Sequence, residues 1–255
     1  MKKIVVVTGG SGAIGKQVSS DLTNKGYTVV FTYNGNKNKA DLLLAELQSI
    51  NKETFCQKVD VSDIKSVQIF ADELKNRFGQ IYGLVNCAGV SSSTDLLTDM
   101  PESVWYSIIN TNLTGVFLMC KYLIPLMTYS NGGRIINISS IFANNPPSMR
   151  TAYAASKVGI IGLSKSLSKE VAHKQICVNT ISPGPVDTEM LGHIWRTTAD
   201  KIGVTFDEYK QNQLSKIPLA KLCKPIDVSN AIQFLLSDSS NHITGATLDI
   251  NGGAV

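Results

Sequence analysis

Tyr153 and Lys157 stand four residues apart in Tyr153-Ala154-Ala155-Ser156-Lys157, a spacing that puts both on one face of a helix. A free phenol has a pKa of about 10 and is a poor base at neutral pH. A neighbouring ammonium favours the phenolate. Bringing the value to about 7 takes roughly 4 kcal/mol of differential stabilisation, which a close lysine and a second positive charge supply in a partly dry cleft. A tyrosine so tuned gives a proton to a carbonyl oxygen or takes one from an alcohol. Ser140 follows the apolar run Ile135-Ile136-Asn137-Ile138, thirteen residues before Tyr153. A hydroxyl at the C-terminal end of a strand lies where open α/β sheets bind ligands. There it can bond a substrate oxygen and hold it against Tyr153.

A Tyr-Lys pair alone is common, so its meaning depends on the elements that must position it. Short runs rich in Val and Ile predict strands at Ile4–Val7, Thr28–Thr32, Phe55–Val59, Gly83–Asn86, Arg134–Ile138, Cys177–Ile181 and Thr247–Ile250. Helical patterns lie between them at Ala13–Asn24, Asn38–Ser49, Ile64–Phe78, Glu102–Met127, Tyr153–His173 and Ile226–Leu236. This alternation predicts a doubly wound Rossmann fold: an α/β domain with about seven parallel strands and helices on both faces. No linker or repeat interrupts it, so residues 1–255 read as a single domain. The stretch Thr188–Pro218 has no strand pattern, carries Trp195, Phe206 and Tyr209, and is expected to form a helical lid over the substrate.

The first strand runs into Thr8-Gly9-Gly10-Ser11-Gly12-Ala13-Ile14-Gly15, where a helix begins. Glycines let the backbone turn tightly and approach a pyrophosphate, and the helix N-terminus offers N–H groups and a positive dipole end. Two registers fit, Gly10-x-Gly12-x-x-Gly15 and Thr8-Gly9-x-x-x-Ala13-x-Gly15. Either implies a dinucleotide, whose oxidised nicotinamide is the second positive charge near Tyr153. NAD sites place an acid at the end of strand two. Here Val30 to Asn36, including Tyr33 and Asn34, holds no acid, and Lys37 and Lys39 follow. That composition suits the 2′-phosphate of NADP, with NAD as the alternative.

The gross composition narrows the classes further. Of 255 residues 43% are hydrophobic and 17% charged, as in a globular chain. The net charge of +4 is spread without a basic run, so no nucleic-acid partner is expected. Five cysteines at wide spacings and three separated histidines predict neither a disulfide framework nor a metal site. No run approaches the ~20 apolar residues of a membrane span, and a reduced, cytoplasmic setting is expected.

Taken together, these residues resemble the short-chain dehydrogenase/reductase family over nearly the whole chain. The resemblance rests on Thr8-Gly9-x-x-x-Ala13-x-Gly15, Asp60-Val61, Asn86-Cys87-Ala88-Gly89, Asn112, Ser140, Tyr153-x-x-x-Lys157, Asn179 and Pro183-Gly184. It implies cofactor contacts from Gly9, Ser11, Gly12, Ala13, Ile14, Gly15, Tyr33 and Asn34 in the first two loops. Asp60 and Val61 would hold the adenine, and Asn86, Ala88 and Gly89 would wall the ribose. Tyr153 is implied as general acid or base, Ser140 as substrate-orienting, and Lys157 as bonding the nicotinamide ribose. Asn112 is implied to hold a water linking Lys157 to solvent, and Pro183, Gly184, Val186 and Thr188 to contact the nicotinamide. Homotetramers or homodimers through Glu102–Met127 and Tyr153–His173 are also implied. Two departures stand out: Ala13 replaces the middle glycine, and Cys87, read as a small buried hydrophobe, replaces an asparagine.

The activity implied is interconversion of a carbonyl and a secondary alcohol. A longer Thr188–Pro218 segment than in carrier-protein reductases suggests a small ketone, polyol, sugar or ketoacid derivative. A 3-oxoacyl thioester on a carrier protein or CoA is the alternative. Asn144, Met149, Trp195 and Tyr209 are candidate pocket residues. A non-enzymatic sensor would be expected to lose Asn112, Ser140, Tyr153 and Lys157, which this chain keeps. The cofactor reading predicts a higher kcat/KM with NADPH than with NADH, and a clear NADH preference would sink it.

Overall fold

The computed structural model describes residues 3–91, 95–128 and 132–254. The apolar runs form β1 (Ile4–Thr8), β2 (Thr28–Tyr33), β3 (Phe55–Lys58), β4 (Gly83–Asn86), β5 (Gly133–Ile138), β6 (Ile176–Pro183) and β7 (Thr247–Ile250). They pair in parallel as one seven-stranded sheet in the order β3-β2-β1-β4-β5-β6-β7. Helices cover both faces, which is the single Rossmann domain expected. They are α1 (Ala13–Asn24), α2 (Lys37–Ile50), α3 (Ile64–Phe78), α4 (Glu102–Ile109), α5 (Gly115–Leu123), α6 (Thr151–Glu170), α7 (Glu189–Ile202), α8 (Phe206–Ser215) and α9 (Pro225–Leu236).

Side chains alternate across a strand, so each apolar strand feeds two cores. Val6 and Val30 join Phe70 and Leu74 of α3, Met119 and Leu123 of α5 and Ile160 of α6. Val5, Val7 and Phe31 join Leu22 of α1, Leu43 and Leu47 of α2 and Ile232 of α9. Burying each such side chain stabilises the fold by about 1.5–3 kcal/mol before entropy. The strand order reverses between β1 and β4, and their C-terminal ends open the crevice where such sheets bind ligands.

One expected helix differs. The pattern at Glu102–Met127 predicted a continuous helix, but the chain there forms α4, a π-helical turn at Asn110–Thr114, α5 and a 3-10 turn at Ile124–Leu126. Pro125 has no N–H for an i→i−4 bond, so α5 ends there. The π turn has no signature in composition. It inserts a residue into the helix, as such turns often do at functional sites, and it carries the buried Asn112.

At the opposite end of the sheet Tyr82 is fully buried, stacks on Tyr27 with centroids 6.4 Å apart, and donates to the Leu236 carbonyl at 2.8 Å. That bond ties the start of β4 to the last turn of α9. Tyr82→Phe should lower the unfolding free energy by about 1–2 kcal/mol, because it leaves a buried carbonyl without its donor. Urea melts with unchanged slope would measure this; unchanged stability would show that the bond contributes nothing.

Candidate active site

The phosphate loop is shaped by close backbone approaches. Gly9 has φ +62°, and a Cβ there would lie 2.9 Å from Ala88 Cα. A Cβ on Gly15 would collide with the Gly9 carbonyl oxygen. These contacts give the second register, with Gly9 and Gly15, its physical basis. Gly10 closes against Phe31 instead. The Gly12 N–H donates to Gly9 O at 2.9 Å and the Ala88 N–H to Thr8 Oγ1 at 3.0 Å, which fixes the loop against β4. Helix α1 starts at Ala13 with no acid in its first turn. The N–H groups of Ala13, Ile14 and Gly15 therefore form a positive, glycine-walled cradle that fits a pyrophosphate, with Ser11 beside it.

The adenosine end is built from β2 and β3. Asp60 accepts from the Ser62 hydroxyl at 2.6 Å and the Ser62 N–H at 2.9 Å, and Asn34 bonds it as well. The Ser62 hydroxyl is the main reason its carboxyl stays below the usual range. Val61 is buried against Gly115 of α5. Tyr33 pairs with Lys58 across the ends of β2 and β3, so Lys58 adds a cation that the sequence reading missed. Strand register alone reveals it. The Asn86 amide donates to Asn137 Oδ1 at 2.8 Å inside the sheet, leaving chiefly its backbone for the crevice.

The proton-transfer residues converge from three elements. Lys157 is buried on α6, and its Nζ donates to Ile138 O at 2.9 Å while Ser139 Oγ donates to Lys157 O at 2.8 Å. Tyr153, one turn earlier, lies with its ring centroid 5.4 Å from Lys157 Nζ. Its hydroxyl is hydrogen-bonded to Ser140, and its ring meets Phe142 edge-on at 6.1 Å. Asn112 accepts from the Val90 N–H at 2.8 Å and donates to Val90 O at 3.0 Å and Ser156 Oγ at 3.3 Å. Ser156 in turn donates to Tyr153 O at 2.7 Å. Asn112 thus clamps the loop after β4 to the first turns of α6, and a Cβ on Gly89 would lie 3.3 Å from its Oδ1.

Burial pushes the Tyr153 hydroxyl above a free phenol, while the Ser140 hydrogen bond and the Arg150 charge pull it down. Lys157 Nζ, to which the sequence reading gave that pull, lies 5.4 Å from the ring centroid. Arg150 was also missed. It stands three residues before Tyr153, and only the fold shows it buried. Burial moves Lys157 from 10.5 down to about 8, and pushes Cys87 up to about 12, far from a reactive thiolate.

At the far wall, Gly184 N–H donates to Ile250 O at 3.0 Å, and a Cβ on Gly184 would lie 2.9 Å from Asn251 Cα. Pro183 ends β6, Val186 bridges to Cys223, and Thr188 caps α7 by accepting from the Leu191 N–H at 3.2 Å. Asn179 holds the approach to β7 by bonding Ile243 O at 2.7 Å and the Ala246 N–H at 3.1 Å. Residues 188–218 contain the hairpin of α7 and α8, with Trp195 buried edge-on to Tyr209 at 6.1 Å. Asn144 and Met149 are exposed. Among the described residues there is no helix long and apolar enough to cross a membrane, and no group of three metal-ligating side chains.

A glycine cradle at the switch point, with Ser140, Tyr153 and Lys157 beside it, defines a dinucleotide-binding oxidoreductase. Residues 3–199 match the family described as short chain dehydrogenase. The chain is 35% identical over 253 residues to a 3-oxoacyl-[acyl-carrier-protein] reductase, FabG, of Staphylococcus aureus, covering 99% of this chain and 98% of that one. It is 37% identical over 251 residues to FabG of Haemophilus influenzae, covering 98% and 97%. An actinorhodin polyketide ketoreductase variant crystallised with NADPH superposes with a TM-score of 0.93 at 26% identity, covering 99% of this chain and 97% of that one. The chain belongs to the short-chain dehydrogenase family.

The buried ammonium leaves a measurable mark on stability. Below pH about 8 Lys157 is protonated in folded and unfolded chains alike. Between about 8 and 10.5 the unfolded chain keeps a proton that the folded chain has released, so this group's contribution to stability rises with pH across that window. Wild type should therefore gain stability relative to Lys157→Met on going from pH 8 to 10. Parallel curves would show the ammonium to be solvated.

Proposed function

We propose that this chain is an NADPH-dependent carbonyl reductase that converts a small ketone to a secondary alcohol, and can run the reverse. The observation that carries the reading is the Tyr153 hydroxyl held by Ser140 with Lys157 buried beneath it. The cradle of Gly9 to Gly15, with Asp60, Tyr33, Asn34 and Lys58 at the adenosine end, would hold the dinucleotide; Pro183, Gly184, Val186 and Thr188 would wall its nicotinamide. When bound, that group supplies the hydride for the carbonyl carbon. Ser140 and Tyr153 meet the substrate oxygen with two hydroxyls. Tyr153 gives up its proton as charge develops on that oxygen. Lys157, still mostly protonated at neutral pH, stabilises the phenolate left behind. Asn112 keeps Tyr153 and the loop after β4 in fixed relation, and the hairpin of α7 and α8 acts as a lid that excludes water.

A 3-oxoacyl thioester is the second substrate reading, favoured by the names and full-length coverage of the relatives. The protein would work in the cytoplasm as a homotetramer, and Tyr106, Phe117 and Val158 leave apolar surface exposed on α4, α5 and α6 for such contacts. NADPH oxidation measured across ketones, sugars, oxoacids and 3-oxoacyl thioesters tests the function. Tyr153→Phe should cut kcat by a factor of about 10²–10⁴ while NADPH still binds. Retained turnover in that variant would remove Tyr153 from the chemistry.

A further inference from the structure

Resting on the dinucleotide reading of the crevice, we propose that Lys39 and Glu189 form a strap across its mouth, an ion pair that must break before a dinucleotide can leave. Lys39 Nζ lies 3.3 Å from Glu189 Oε2. Lys39 stands in the first turn of α2, which follows β2, and Glu189 is the first residue of α7, which follows β6. In the sheet, β1, β4 and β5 lie between β2 and β6. Neighbouring strands are about 4.8 Å apart, so the two elements rise from points roughly 19 Å apart. A 3.3 Å contact between them therefore crosses the C-terminal ends of β1 and β4, where the crevice opens.

The packing says on which side the crossing runs. Val186, three residues before Glu189, packs in the same core as Leu22 of α1 and Leu43 of α2. Helix α1 opens from the phosphate loop, so the strap runs on the phosphate-loop face. Both side chains are largely exposed, which puts the pair at the outer rim and not on the crevice floor. Lys37 behaves differently: it pairs at 2.7 Å with Asp41, four residues on in the same helix. A pair within one helix restrains nothing beyond it, whereas Lys39 and Glu189 are 150 positions apart and join two elements. Helix α7 otherwise packs chiefly on α8, so a tether at its first residue bears on how the hairpin sits over the crevice. A carboxylate at that rim would by itself repel an anionic dinucleotide, and its pairing with Lys39 offsets this. Lys39 and Glu189 are thus positioning residues, which hold the wall in place without touching the reacting atoms.

The test follows the fluorescence of bound NADPH after stopped-flow mixing of the full chain with excess NADP. Glu189→Gln should release NADPH about two- to fivefold faster than wild type at low salt, the range an exposed pair can supply. The gap should close near 1 M salt, where the Debye length is about 3 Å. Simple charge effects predict the opposite sign, because removing an acid beside an anion slows the anion's release. Lys39→Gln should also release faster, whether or not its ammonium reaches the 2′-phosphate. The double variant, Lys39→Gln with Glu189→Gln, should release no faster than Lys39→Gln alone, because without the lysine Glu189 has nothing to hold. Slower or unchanged release in Glu189→Gln would overturn the strap. So would effects that add in the double variant, which would leave Glu189 only its local effect on the first turn of α7. Either result with a wild type that binds NADPH leaves the dinucleotide reading intact. A wild type that binds neither NADPH nor NADH would overturn that reading and the strap with it.

Discussion

Two hydrogen bonds running in opposite directions hold the site together: Lys157 Nζ to Ile138 O, and Ser139 Oγ to Lys157 O. They lock the first turns of α6 onto the end of β5. With that register set, Tyr153, one helical turn before Lys157, falls beside Ser140, the residue after Ser139. The ammonium is buried, so its bonds are made away from competing water and losing one would leave a charge unsolvated. The geometry of the candidate site and the docking of the helix are here the same interaction.

The rest of α6 is adapted to that docking. Its buried residues other than Lys157 and Ile160 are Ala152, Ala154, Ser156, Ser164 and Ser168, all small where a core helix usually shows large aliphatics. Small residues let the helix approach the sheet closely. The hydroxyls answer buried amides: Asn137 donates to Ser164 Oγ at 2.9 Å, and Asn112 to Ser156 Oγ at 3.3 Å. A polar network runs from Asn86 through Asn137 to Ser164, under the crevice floor. The network leaves Asn86 Oδ1 buried and without a hydrogen-bond partner among the described residues.

The opposite wall is built differently. The hairpin of α7 and α8 rests on its own contact between Trp195 and Tyr209, and α8 opens with a capping box at Thr205 and Glu208. Trp195 and Ala199 are the buried residues of α7.

The strand–helix alternation, the glycine loop and the order Ser140, Tyr153, Lys157 were legible in the amino-acid sequence because each is a local pattern. Strand composition, a loop following a strand, and a four-residue spacing on a helix all act over a few residues. Other features depend on partners far along the chain. Tyr33 meets Lys58 only when β2 and β3 pair, and the Asn86 amide turns inward only because Asn137 lies opposite. The π turn that carries Asn112 forms where that side chain can reach Val90 and Ser156, a contact no helical period encodes. Nothing local in the sequence singles out Arg150. The fold leaves it 9% exposed at the N-cap of α6, after a left-handed turn at Met149. Local spacing determined the reaction, and tertiary packing determined which charges surround it.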